Sequence, residues 1–189
     1  MNQGVNGVTA GARDEATDRT QVAPGVAGDR MLKEQVADLI YRSTVLLDRE
    51  DFQGWLEEFC APEFRYRITT YSPEIRREQE WLEGGREDLL EMMRMLPMHN
   101  TDHSPLTRHV SVYTVDLDGG NAARAVSSVV IYRTMFDGIN SHLDSGETRL
   151  FAVGKYLDTV RIDGEQPLFL ERNLRLDTRR MDKGSHFPL

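Results

Sequence analysis

The chain has 189 residues, 39% of them hydrophobic and 29% charged, enough for one well-filled domain of ordinary size plus a tail. Its 23 Lys and Arg against 31 Asp and Glu leave a formal net charge of −8, which argues against a protein that tracks a phosphate backbone or lies on an anionic membrane. The single cysteine, Cys60, leaves no intramolecular disulfide, no thiolate zinc site and no Rieske cluster within the chain, since that cluster takes two Cys and two His.

From Met1 to Gly28 there is no Leu, Ile, Phe, Trp or Tyr, so this stretch buries too little apolar area to offset its ordering entropy and is expected to be a disordered tail. No apolar run of secretory or membrane-spanning length occurs, and a cytoplasmic protein is expected. Asp29 can cap a helix in which Leu32, Val36, Leu39, Ile40, Leu46 and Leu47 recur at helical spacing. Asp51 can cap a shorter one carrying Phe52, Trp55, Leu56 and Phe59 and stopped before Pro62, an aromatic spacing that reads as core. Phe64 to Tyr71 alternates as a strand. Ser72-Pro73-Glu74 is a helix start and Gly84-Gly85 a stop, so Pro73 to Glu83 is expected to be helical. Arg86 to Leu96 places Leu89, Leu90, Met92, Met93 and Leu96 on one side of a helix that ends at Pro97.

Leu106 to Leu117 and Ala123 to Phe136 are strand-like and joined by Asp118-Gly119-Gly120-Asn121, a hairpin signal; the second run is apolar on both faces and expected to be central. Gly138 to Gly146 is a polar loop. It feeds a final hairpin, 150–161 and 168–177, turning at Asp163-Gly164. A loop with an even number of residues puts odd positions of the first strand with even positions of the second, so Phe151, Val153, Leu157, Leu168, Leu170, Leu174 and Leu176 are expected to face the core, interrupted by Lys155, Thr159 and Arg172. The opposite face, with Tyr156, Asp158, Val160, Phe169, Glu171, Asn173 and Arg175, has the aromatic-plus-arginine mixture of a contact surface. Helices first, then a meander of antiparallel strands without repeats, give an α+β fold: a curved sheet wrapped over helices, with the domain at 29–181 and a C-terminal tail at 182–189.

Candidate chemistry is sparse. His99, Asp102 and His103 are the residue types of a mononuclear iron site, but Pro97 and Pro105 bracket them in a loop, and a polar connection is the simpler reading. His109, beside Arg108 at the start of a strand, reads as structural. Asp48, at the end of the first long helix, could pair with Arg172 or Lys155. No phosphate-binding glycine loop, nucleophile elbow or Ser-His-Asp spacing occurs.

The run 46–59, followed by Phe64-Arg65-Tyr66, resembles the amino-terminal signature of the small (β) subunits of Rieske-type aromatic-ring-hydroxylating oxygenases. So do Thr107-Arg108-His109-Val110, Ile131-Tyr132-Arg133, the run 150–158 and the run 170–177, which together span about Ala37 to Asp177 in family order. The resemblance implies the cone fold shared with nuclear transport factor 2 and ketosteroid isomerase. It further implies a hetero-hexamer of three large (α) and three small subunits, with β–β contacts and with electron-transfer components docking on the large subunit. The Rieske 2Fe-2S cluster and mononuclear iron would belong to that large subunit, leaving no catalytic, cofactor-binding or metal-binding residue in this chain. The long tail, the polar stretch Pro73 to Gly85 and the ending Lys183 to Leu189 depart from the family and leave the substrate open.

The reading that follows is a non-catalytic, structural subunit of an O2- and NAD(P)H-dependent oxygenase acting on a small aromatic or acidic substrate. Two others remain: a stand-alone isomerase, dehydratase or cyclase with acid-base groups in the cone, and a small-ligand binding module.

Overall fold

The computed structural model describes residues 1, 24–99, 104–136, 145–180 and 188–189, without the side chains of 24–26 and 97–99. In chain order it contains α1 (Pro24–Asp48), α2 (Phe52–Phe59), β1 (Cys60–Ser72), β2 (Arg77–Gly85), α3 (Arg86–His99), β3 (Leu106–Leu117), β4 (Ala122–Thr134), β5 (Thr148–Arg161) and β6 (Leu168–Leu176). The strands form one curved sheet in the order β2-β1-β6-β5-β4-β3. Every pairing is antiparallel except β1 with β6, where the first hairpin joins the last strand side by side.

The helices lie against one face of that sheet, α1 on β3 and α2, and α3 on β1 and β2. The buried stripe of α1 is Val36, Leu39, Ile40 and Leu47, with Ser43 and Thr44 on the same side returning their hydroxyls to the Ile40 carbonyl. Asp51 caps α2, accepting from the Gly54 N–H at 2.9 Å, and brings Trp55 into the centre, where it meets Phe64 and Tyr66 edge to face.

Five expectations change. The first helix begins at Pro24, five residues ahead of Asp29; proline suits a first turn, where its missing N–H has no partner in any case. The last, α3, runs through Pro97 to His99, so that proline removes one donor near the end of the helix without stopping it. Pro73 to Glu83 is not a helix. A turn with Arg76 at φ 52 leads into β2, which pairs with β1 from Arg65↔Gly85 to Ser72↔Arg77, and the Ser72 hydroxyl bonds the Glu74 carboxylate. A segment with no apolar stripe gains little by packing as a helix, whereas as a strand it satisfies the open edge of β1 and presents charges at the new edge.

The fourth change is in the last hairpin. Arg161 pairs with Leu168 and Val160 with Phe169, as an even loop requires, but the next pair is Thr159 with Glu171. Leu170 is the extra residue of a β-bulge, and beyond it even positions of β5 lie with even positions of β6. Tyr156, Asp158, Val160, Phe169, Arg172, Leu174 and Leu176 therefore point inward, and Val153, Leu157, Leu168 and Leu170 are only half-buried. Phe151 is also buried, next to Ala152, because a second irregularity separates Ala152↔Ile131 from Leu150↔Tyr132. The two strands approach closely at Gly154, where a Cβ would lie 2.6 Å from the Arg175 carbonyl oxygen. Nor is β4 central and buried on both faces: it lies between β5 and the edge strand β3, buried on the face of Ala123, Ala125, Ser127, Val129 and Ile131 and half-buried on most of the other.

This register places Asp158 opposite Arg172 inside the protein, both side chains at 0% exposure, in a bidentate pair of 2.9 Å and 2.9 Å. Replacing Arg172 by Leu strands a buried carboxylate and is expected to cost about 3–5 kcal/mol, and the double change with Asp158→Leu much less. Denaturant melts of the three variants test the pair. Trp55→Ala, which empties a fully buried indole site, is expected to cost about 3–5 kcal/mol by the same measurement.

Candidate functional site

The Arg172 guanidinium lies between the Tyr156 and Phe169 rings, 4.1 Å and 4.3 Å from their centroids, so its faces meet π density while its edge meets Asp158. A second ion pair stands beside it. Asp48, closing α1, accepts from the Arg108 backbone N–H at 3.1 Å and from its Nη1 at 2.8 Å. The Arg108 side chain is 1% exposed, and its Nη2 donates to the Pro188 carbonyl at 2.6 Å. The Tyr66 hydroxyl accepts from the Leu189 N–H and donates to the Leu189 carbonyl, each at 2.9 Å. Polar groups from α1, β1, β3, β5, β6 and the 188–189 pair thus meet in the middle of the cone.

Burial pushes the Tyr66 and Tyr156 hydroxyls well away from ionisation at neutral pH. For Asp158, burial pushes the carboxyl up while Arg172 opposes it. Burial disfavours the charge on Arg172, and the facing Asp158 carboxylate outweighs that and holds it protonated. Both Asp158 oxygens accept from Arg172, and both Asp48 oxygens accept from Arg108, whose backbone N–H lies 3.1 Å and 3.3 Å from them and whose Nη1 lies 2.8 Å from one.

The residues singled out by sequence reasoning fall in different places. Asp48 pairs with Arg108, not with Arg172 or Lys155; Lys155 bonds Asp177 at 3.0 Å on the outside. His109 is exposed and stacks edge to face on Tyr132. His99 closes α3, and Asp102 and His103 lie outside the described residues. Among the described residues no three His, Cys, Asp or Glu side chains are grouped as metal ligands. Cys60 is buried and burial pushes its thiol up, against Arg172 and Arg86, so this one sulfur does not suit a cluster that needs two thiolates and two imidazoles. Sequence reasoning had no reason to single out Tyr66, nor Arg108 as an anchor; the one signal for the 188–189 pair was an apolar ending, Phe187-Pro188-Leu189, after a polar run.

The outward face of the sheet differs from expectation as the bulge requires. Tyr156, Asp158, Val160 and Phe169 leave it for the core, while Glu171, Asn173 and Arg175 stay and are joined by Lys155, Leu157 and Thr159. Arg67 pairs with Glu171, and Thr69 bonds Asn173 at 3.1 Å, so ordered polar pairs cross from β1 to β6, with Arg175 exposed beside them. A cleft of about 420 Å³ opens where α1 meets the Glu165-Gln166-Pro167 loop, lined in part by Glu34, Asp38 and Arg42. No described helix is long and apolar enough to cross a membrane.

Comparison with known proteins fits this architecture. The model of the SnoaL-like domain matches residues 31–173. Methanesulfonate monooxygenase hydroxylase subunit beta from Methylosulfonomonas methylovora is 51% identical over 157 residues, covering 82% of this chain and 86% of that one. The beta subunit of 2-aminobenzenesulfonate 2,3-dioxygenase from Alcaligenes sp. is 30% identical over 154 residues, covering 82% and 97%. Among solved structures, a chain from Novosphingobium aromaticivorans DSM 12444 assigned as the beta subunit of an aromatic-ring-hydroxylating dioxygenase shares the fold, with a TM-score of 0.67 at 18% identity over 81% of this chain and 94% of that one. An α+β cone with a helix-covered curved sheet, matched along most of its length by oxygenase beta subunits, belongs to the SnoaL-like, nuclear-transport-factor-2-like family and within it to the small subunits of multicomponent oxygenases.

Proposed function

We propose that this chain is the non-catalytic small subunit of a Rieske-type oxygenase, supporting assembly of large subunits that carry the 2Fe-2S cluster and the mononuclear iron. The observation that carries the reading is the 51% identity over 157 residues with a monooxygenase hydroxylase beta subunit. The interior supports it, since its carboxylates are committed to arginines and its tyrosines stay protonated. The proposed assembly is three large and three small subunits in the cytoplasm, where a lone buried thiol is at home. The domain proposed for this role is the 29–181 unit, extended by the start of α1 at Pro24 and by Pro188 and Leu189, which return to its core. Both curated relatives are named for sulfonates, and the proposed substrate of the complex is accordingly a small organic sulfonate, recognised by the large subunit.

The outward sheet face is the proposed subunit contact, for it combines half-buried apolar residues such as Leu157 with Arg175 and ordered charge pairs. Arg175→Glu is expected to leave the circular dichroism spectrum of the isolated chain unchanged and to weaken its co-elution with the large subunit at ordinary salt. Assembly equal to that of the parent would move the contact elsewhere. Metal analysis of the purified chain is expected to find no stoichiometric iron. Iron that is retained, and then lost on changing His99 and His103 to Ala, would overturn the non-catalytic reading.

A further inference from the structure

We propose that the cleft where β4 ends and β5 begins is a binding site for a small tetrahedral oxyanion, of the class of sulfate, phosphate or an alkyl sulfonate. The cleft has a volume of about 200 Å³ and is lined by Arg133, Arg149, Leu150, Phe151, Thr178 and Arg180. Arg149, Leu150 and Arg180 are exposed, so it opens at the surface, and no side chain of the polar centre lines it. It brings together three guanidinium groups, with no carboxylate among the residues that line it. In a chain of net charge −8 that is a local reversal of sign.

The cations are held in place before any ligand arrives. Arg133 and Arg149 are partners in the β4–β5 register, and like charges directly opposite each other repel. An anion seated between them replaces that repulsion with attraction to a shared partner. Arg149 also bonds Glu147 at 2.5 Å, but a guanidinium carries five N–H donors, more than one carboxylate oxygen uses. Arg133 is 8% exposed, and its guanidinium carbon lies 5.4 Å from the centroid of the Phe151 ring. Phe151 reaches it because a β-bulge separates Ala152↔Ile131 from Leu150↔Tyr132 and turns that ring inward. A cation so placed loses little freedom on binding and acts on an anion through less water than a surface arginine does.

Thr178 supplies a neutral donor beside them. Its hydroxyl accepts from the Val153 N–H at 2.8 Å and its own N–H donates to the Val153 carbonyl at 3.1 Å, so the oxygen is fixed and keeps its hydrogen to donate. Three guanidiniums and a hydroxyl, brought from two strands and from the chain beyond β6, exceed what the two oxygens of a carboxylate accept in one plane. Three or four oxygens at tetrahedral corners match them. The volume is below that of a pocket for a drug-sized molecule, and Leu150 and Phe151 add an apolar wall, so the ligand is a bare tetrahedral anion or one carrying a short alkyl group. The inference goes beyond the subunit role and does not depend on it.

The test is titration of the purified full chain with sodium sulfate, sodium methanesulfonate and sodium acetate, with sodium chloride holding the ionic strength constant, followed by calorimetry and thermal melting. Sulfate stabilises many proteins by being excluded from their surface, so the reading is the difference between the parent and Arg149→Gln or Arg180→Gln. Both positions are exposed, and these variants are expected to keep the circular dichroism spectrum of the parent. The parent is expected to bind sulfate or methanesulfonate saturably with roughly millimolar affinity, and to melt about 2 °C or more higher with the anion at about tenfold its Kd than in chloride alone. Each variant is expected to bind about fivefold or more weakly. Tighter binding of sulfate assigns the site to an inorganic anion and tighter binding of methanesulfonate to an organic sulfonate, and either upholds it. Three results would each overturn it: no saturable binding of either tetrahedral anion, variants that bind as the parent does, or acetate bound as tightly as the tetrahedral anions.

Discussion

The rest of the structure depends on one buried ion pair, Asp158 with Arg172. Two charges taken fully out of water are tolerated only when they are aligned and the remaining surfaces of each are met. Here the alignment is bidentate, and the flat faces of the guanidinium are covered by Tyr156 and Phe169. That geometry exists in one register of β5 against β6. A slip of one residue would turn Asp158 and Arg172 to opposite faces and take Tyr156 or Leu174 out of the core with them, so the pair and the bulge at Leu170 require each other. Gly154 serves the same end by allowing β5 to come against the Arg175 backbone.

Once the pair is committed, its chemistry is committed as well. Both oxygens of the carboxylate are taken by the arginine, which that carboxylate holds charged against its burial, and burial pushes the hydroxyls of the tyrosines beside them away from ionisation. The outward face of the sheet bears crossed pairs, Arg67 with Glu171 and Thr69 with Asn173, on two strands joined in parallel. An ordered polar surface with apolar patches suits a lasting contact between subunits better than a purely solvated face would.

Arg108 solves the burial problem differently from Arg172. Its carboxylate comes from a helix end, and a main-chain carbonyl of Pro188 completes it, so α1, β3 and the 188–189 pair are tied at one side chain. Through Tyr66 the same pair reaches β1, next to the strand that carries Arg172. The interior thus holds two polar groups inside an apolar shell, the Asp158–Arg172 pair and the set that joins Asp48, Arg108, Tyr66 and the 188–189 pair.

Much of this was legible in the sequence because it is local. The stripes of α1, α2 and α3, the glycine turn between β3 and β4, the final hairpin and the class of fold all follow from spacings of a few residues, and the family resemblance rests on those runs. The strand at 77–85 was not legible, since Ser72-Pro73-Glu74 begins a helix as well as a turn and only the open edge of β1 decides between them. Nor was the inward face of the last hairpin, because loop parity sets the register only as far as the first bulge, and the bulge at Leu170 answers to Asp158 and Arg172 rather than to its neighbours. The centre of the cone was least legible of all. Asp48 with Arg108, and Tyr66 with Leu189, are brought together from positions 60 and 123 residues apart, and no periodicity in a chain records a contact that exists only once the sheet has curved around it.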